Sequence, residues 1–147
     1  MNDSPLTPGI FMVDDNALAA EAMQRYFTGS VLLRWLGWSP DPAAAVPMIV
    51  ELRPDVVLLD VEIPGADCFA ALTALTAQCP SSRVVMFSGH THAALIDRAL
   101  QEGAAGYIIK DDPISTIAQL LLNAARGECV LSPTASSVYM RAGTSST

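Results

Sequence analysis

Positive charge is scarce in this sequence. Eight of its 147 residues are Lys or Arg against fifteen Asp and Glu, for a net charge of −7. Neutralising phosphates takes clustered basic side chains, and these eight are scattered, which argues against direct contact with nucleic acid. Cysteine is scarcer still: Cys68, Cys79 and Cys129 are odd in number and far apart. That spacing predicts reduced, packed thiols and neither a disulfide frame nor a zinc site. No apolar run approaches the roughly 20 residues of a membrane span. The start, Met1-Asn2-Asp3-Ser4-Pro5, lacks the basic-then-apolar pattern of a signal peptide. A cytoplasmic protein without membrane contact is the expectation. Lysine is the extreme case, because Lys110 is the only one. Where Arg serves everywhere else, a solitary Lys suits a place that needs a compact ammonium rather than a planar fork.

What is abundant is apolar: 51% of the residues are hydrophobic. A chain of this length forms one domain and buries roughly two thirds of the surface its unfolded form exposes. The apolar residues fall into short runs separated by helical patterns. Residues 9–13, 31–36, 56–59, 83–87 and 106–109 read as buried strands, too short for helices and rich in branched side chains. Between them, Asn16 caps a helix that Gly29 closes, and Asp41-Pro42 opens one to about Leu52, with Pro47 expected to kink it or delay its start. Further helices are expected over 68–78, 93–102 and, after the cap signal Asp112-Pro113, over 114–126. Five alternations of strand and helix call for a doubly wound five-stranded parallel sheet, a (βα)5 three-layer sandwich of flavodoxin type. A loose leader over 1–8 and a linker or disordered tail over 132–147, rich in Ser and Thr, flank a domain of residues 9–131.

Four of these strands stop at residues with chemistry: Asp14-Asp15, Asp60, Ser88 and Lys110. Parallel strands place them on one edge of the sheet, where open α/β folds bind ligands. Singly they are a helix cap, a turn residue or a solvated charge. Together they are a chemical set. Three convergent carboxylates repel one another unless a cation joins them, and Mg²⁺ suits such a group because it takes a few carboxylates and keeps several waters. An Asp beside that ion can attack phosphorus, with a Lys ammonium and a Ser hydroxyl on the remaining oxygens.

The acidic pair Asp14-Asp15, Asp60 within Leu58-Leu59-Asp60-Val61-Glu62-Ile63-Pro64-Gly65, the Ser88-Gly89 step and Gly106-Tyr107-Ile108-Ile109-Lys110 resemble the receiver domain of two-component response regulators. The resemblance covers about residues 9–133. It implies that Asp60 accepts a phosphoryl group from a sensor histidine kinase or phosphotransfer protein. It implies Mg²⁺ on Asp14, Asp15, Asp60 and the backbone carbonyl of Glu62, and it makes Ser88 and Tyr107 reporters of phosphorylation. Lys110-Asp111, Ala125-Arg126-Gly127-Glu128 and Val130-Leu131-Ser132-Pro133 are similar to the NarL/FixJ group, whose members continue into a DNA-binding domain. Regulation of transcription through an output domain outside this chain follows as an expectation. So does a phosphorylation-dependent homodimer, through residues 93–126 or through the first and last helices.

The chain departs from that pattern at Cys68, where Gly is usual, and at Glu62, where an uncharged residue is common. Glu62 and His90, each two residues beyond a strand-end residue, are expected at the mouth of the crevice. A protonated His90 paired with Glu62 would block the water that removes the phosphoryl group, lengthening its life below about pH 7. Solvation of both, or an unpaired Glu62 that repels the phosphodonor, are the alternatives. His90 and His92 have no third ligand nearby in sequence and are expected to be solvated, and Trp35 and Trp38 are expected to serve packing. An Asp-nucleophile phosphohydrolase is the enzymatic alternative, disfavoured because the chain has no room for a substrate-defining cap. A degenerate docking module is the third, disfavoured by the intact set.

Overall fold

The computed structural model describes residues 7–145. The leader expected over 1–8 lies almost wholly outside them. Six parallel strands form one sheet in the order β2-β1-β3-β4-β5-β6, one strand more than the five read from the sequence. The elements are β1 (Gly9–Val13), α1 (Ala17–Thr28), β2 (Arg34–Ser39), α2 (Pro42–Leu52), β3 (Val56–Asp60), α3 (Cys68–Gln78), β4 (Arg83–Ser88), α4 (Ala93–Gln101), β5 (Gly106–Ile109), α5 (Ile114–Ala125), β6 (Val130–Leu131) and α6 (Pro133–Ser145). Every residue of β1, β3 and β5 is buried, as unbroken apolar runs in a sheet covered on both faces require.

Alternation along those strands divides the core. Phe11, Val13, Val57, Leu59 and Met86 meet Ile49 of α2, Phe69, Leu72 and Leu75 of α3, and Ile96 of α4. Ile10, Met12, Leu58, Val85 and Ile108 meet Met23 and Phe27 of α1 and Ile117 and Leu121 of α5 on the opposite face. Each such side chain contributes about 1.5–3 kcal/mol on leaving water. The order β2-β1-β3 reverses the direction of winding between β1 and β3, and the crevice at that reversal is where such sheets bind ligands.

Three expectations need correction. The strand expected over 31–36 lies at Arg34–Ser39, because the Ser30 hydroxyl captures the Leu32 amide at 3.0 Å and holds a turn there. The strand then pairs with β1 from Gly9–Arg34 to Val13–Ser39, which carries Trp38 and Ser39 to the carboxyl edge. The tail over 132–147 is not linker or disordered where it is described: Pro133–Ser145 form α6, and just before it Val130–Leu131 add the edge strand β6. Pairing of β6 with β5 depends on Gly106, since a Cβ there would run into the Val130 carbonyl. Lastly, Asp112 does not cap α5. Pro113 stands at that position without a side-chain bond, and the Asp112 carboxylate turns instead to α6, accepting from the Thr134 hydroxyl at 2.7 Å.

Helix α2 starts at Pro42, its cap Asp41 accepting from the Ala43 amide at 3.1 Å, and it runs through Pro47 without a delayed start. Among the described residues, no helix is long and apolar enough to cross a membrane.

Candidate functional site

The carboxyl edge of the sheet gathers the residues that the sequence singled out. Asp14 follows β1, Asp60 ends β3, Ser88 ends β4 and Lys110 follows β5. Asp14, Asp60 and Ser88 are buried, and Asp15 is exposed. Carboxylate oxygens of Asp14, Asp15 and Asp60 lie within 4.8 Å of one another. The Lys110 ammonium sits between two of them, 3.1 Å from Oδ2 of Asp60 and 3.1 Å from Oδ2 of Asp14. Its contact with Asp60 has hydrogen-bond geometry. The one with Asp14 is an ion pair only, so Oδ2 of Asp14 is a buried acceptor without a hydrogen bond.

Local turns aim these groups. Oδ1 of Asp60 accepts from the Glu62 amide at 2.8 Å, and Oδ1 of Asp14 accepts from the Asn16 amide at 2.9 Å. Each carboxylate is thus anchored through one oxygen and offers the other to the ammonium. The Lys110 amide donates to the Ser88 carbonyl at 2.8 Å, which ties the lysine to the end of β4. Beyond it, the Ile109 amide donates to the buried Ser132 hydroxyl at 3.0 Å.

The electrostatics follow from burial and crowding. Burial raises the pKa of Asp14, the bond from Asn16 lowers it, and the Asp60 charge raises it further, so the carboxyl sits above its ordinary range despite Lys110. Burial opposes the Lys110 charge, but the hydrogen bond and charge of Asp60 and the charge of Asp14 outweigh it and raise that pKa. One ammonium among three carboxylates leaves negative charge in excess. The unbonded Oδ2 of Asp14 and the 4.8 Å cluster fit a hard divalent cation that accepts oxygen ligands.

Ser88 and Tyr107 lie behind this cluster. The Ser88 hydroxyl donates to the His90 carbonyl at 3.2 Å and accepts from the His90 amide at 2.9 Å. Tyr107 is fully buried and its hydroxyl has no hydrogen-bond partner. Burial raises the pKa of its phenol, with the Ser88 hydroxyl pulling the other way. Glu62 and His90 meet at the mouth: Nδ1 of His90 lies 2.7 Å from Oε2 of Glu62, and Oε1 accepts from the Gly89 amide at 3.0 Å. His92 stacks on His90 with ring centres 6.0 Å apart. Cys68 is buried at the start of α3, and burial raises the pKa of its thiol, with the Asp60 charge adding to the effect, so it stays an inert packing group.

One member of the site was missed. Trp38, expected only to pack, donates its indole N–H to the Asp14 carbonyl at 2.6 Å. The misplaced strand concealed it: with β2 ending at Leu36 the indole lies beyond the sheet, whereas the observed register puts it beside β1.

Comparison with known proteins agrees with this geometry. Residues 10–122 match the response regulator receiver domain family. NarL of Mycobacterium tuberculosis, a transcriptional regulatory protein by name, is 33% identical over 90% of this chain and 61% of its own length. The nitrate/nitrite response regulator NarL of Escherichia coli K12 is 30% identical over 89% of the chain and 60% of its own. The chain thus spans about six-tenths of these curated relatives. Among solved structures, the signal receiver domain of the M. tuberculosis NarL superposes with a TM-score of 0.78 at 33% identity, covering 83% of this chain and 98% of that one. A LuxR-family two-component response regulator from Aurantimonas gives 0.87 at 22% identity, covering 94% and 99%, and shares the fold. With the acidic cluster, the lone lysine and the sheet order in place, the chain belongs to the response regulator receiver domains.

Proposed function

We propose that Asp60 accepts a phosphoryl group from the phosphohistidine of a sensor kinase or phosphotransfer protein, making this domain a switch that turns over only its own phosphoryl group. The observation that carries the reading is Lys110 Nζ held 3.1 Å from both Asp60 and Asp14. As an oxygen of Asp60 bonds to phosphorus, the phosphorus–nitrogen bond of the donor breaks and the imidazole leaves with the electron pair, taking up a proton. Lys110 then shifts from carboxylate to a phosphoryl oxygen, neutralising charge where it accumulates. Asp14, Asp15, Asp60 and the Glu62 carbonyl would hold Mg²⁺, which would supply the remaining neutralisation.

Ser88 would exchange its bond to the His90 carbonyl for one to the phosphoryl group, drawing the loop after β4 inward. Tyr107, which the resemblance would have rotate inward on phosphorylation, is already fully buried, so phosphorylation would hold it there rather than bring it in. Glu62 and His90 close the mouth and govern the escape of the group. Transcription is the output this reading supports, through a DNA-binding domain beyond the part of its relatives that the chain spans. For a homodimer the face of α1 and α5 is favoured, since α6 lies on α4 through a Tyr139–Asp97 hydrogen bond of 2.9 Å while Leu18 of α1 is 76% exposed.

Intact mass after incubation with acetyl phosphate tests the reading. The expected result is a gain of one phosphoryl group that needs Mg²⁺ and is lost in Asp60→Asn. An unchanged mass, or a phosphorylated Asp60→Asn protein, overturns it.

A further inference from the structure

Asp14 is held through both its backbone groups and one side-chain oxygen. Its amide donates to the Ser39 carbonyl at 3.1 Å, its carbonyl accepts the Trp38 indole at 2.6 Å, and its Oδ1 accepts the Asn16 amide at 2.9 Å. Two of these three partners come from the end of β2, which pairs Met12 with Trp38 and Val13 with Ser39. Holding the Asp14 carbonyl fixes the plane of the peptide that joins Asp14 to Asp15. That plane matters for Asp15, which is exposed and whose carboxylate has no hydrogen-bond or ion-pair partner among the described residues. Nothing but its backbone keeps it within 4.8 Å of the Asp14 and Asp60 oxygens.

Three carboxylates at that spacing repel, and with no ion between them the exposed one gains relief by rotating its own side chain and further relief by turning the 14–15 peptide, the second of which moves its Cα away from the cluster. Such a turn would pull the carbonyl off the indole. An indole N–H is a donor with no alternative role, and half-burial restricts its access to water, so breaking the bond costs the free energy of a hydrogen bond. We infer that Trp38 is a positioning residue for the acidic pair, its indole holding Asp14 and Asp15 in the arrangement that receives a divalent cation before the cation arrives. This rests on the phosphoacceptor reading, for which the cation is required. Trp38 touches neither ion nor phosphoryl group and acts through the Asp14 carbonyl. Trp35, three residues earlier in the same strand, is a matched control, since its ring stacks on Phe27 with centres 6.4 Å apart and takes no part in the site.

The test titrates Mg²⁺ alone into the metal-free chain and follows amide resonances by NMR, for wild type, Trp38→Phe and Trp35→Phe. Phenylalanine keeps an aromatic ring and removes the donor. Trp38→Phe is expected to bind Mg²⁺ about fivefold more weakly, the equivalent of one ordinary hydrogen bond. Its thermal midpoint without Mg²⁺ is expected to fall by no more than the few degrees that one hydrogen bond is worth, and Trp35→Phe to bind as wild type does. Equal affinity in Trp38→Phe and wild type overturns the inference and leaves the phosphoacceptor reading standing. Failure of the wild type to bind Mg²⁺ overturns both, and intact-mass phosphorylation shows the reading's failure separately. Should Trp38→Phe not fold, the wild-type indole proton decides. Because coupling is reciprocal, saturating Mg²⁺ is then expected to slow exchange of the Trp38 N–H by a similar factor. An exchange rate indifferent to Mg²⁺ overturns the inference.

Discussion

Glu62 and His90 bridge two loops across the mouth of the site, with one Glu62 oxygen 2.7 Å from the imidazole and the other on the Gly89 amide. A protonated imidazole makes this an ion pair, and on the phosphoacceptor reading proposed above the pair would stand across the path of the water that hydrolyses the acyl phosphate. His90 is 58% and Glu62 32% exposed, so the coupling is worth at most about 1 kcal/mol, or roughly fivefold in rate. The expected outcome is faster loss of the phosphoryl group in Glu62→Gln and in His90→Ala, with the double variant no faster than the faster single one. Purely additive single effects remove the gate.

Neutralising Asp14 is expected to stabilise the metal-free protein. Its folded pKa lies above the ordinary 3.8, so the fold favours the protonated form. That favourable contribution is present below 3.8 and is lost as pH rises through the folded value. At neutral pH the ionised carboxylate is therefore a cost. Asp14→Asn should raise the thermal midpoint at pH 7 by a few degrees, the scale of about 1 kcal/mol. The gain should vanish toward pH 3 and be offset in wild type by saturating Mg²⁺. A lowered midpoint at pH 7 in the metal-free variant contradicts this.

Lys110→Arg keeps the charge and changes its shape. The ammonium makes single 3.1 Å contacts to two oxygens that belong to different residues, a geometry that a planar fork built for one bidentate partner does not reproduce. Phosphorylation from acetyl phosphate is expected to slow by about tenfold or more, the scale on which a misplaced charge-assisted hydrogen bond acts. A wild-type rate in this variant removes Lys110 from its role.

Docking of α6 on α4 is expected to fail in alkali. The Tyr139 hydroxyl donates to Asp97 Oδ1 at 2.9 Å, and that bond and the Asp97 charge raise the phenol pKa above its ordinary 10.0. The contribution to docking is complete below pH 10 and is lost as pH rises through the folded pKa, when a phenolate faces a carboxylate. NMR resonances of α6 are expected to shift and broaden through that transition in wild type and to show no such step in Tyr139→Phe. An identical alkaline transition in both assigns the change elsewhere.

Sequence alone determined the layered parallel sheet, because unbroken apolar runs ending in Asp14, Asp60, Ser88 and Lys110 have only one economical burial, between two helical layers. It also brought those four to one edge, since parallel strands share their carboxyl ends. Tertiary structure decided what depends on pairing rather than on pattern. Val31, Leu32 and Leu33 look as strand-like as Trp35 and Leu36, and only the Ser30 turn and the register with β1 place β2 at Arg34–Ser39, with Trp38 on the Asp14 carbonyl. Asp112-Pro113 carries a cap signal that α6 diverts, because Thr134 reaches the carboxylate first. The polar segment after Ser132 shows little apolar period, yet it is helical because its few apolar residues, Ala135 fully buried and Val138 and Tyr139 partly so, find a site on the face of α4 and β5 that exists only once the sheet is assembled.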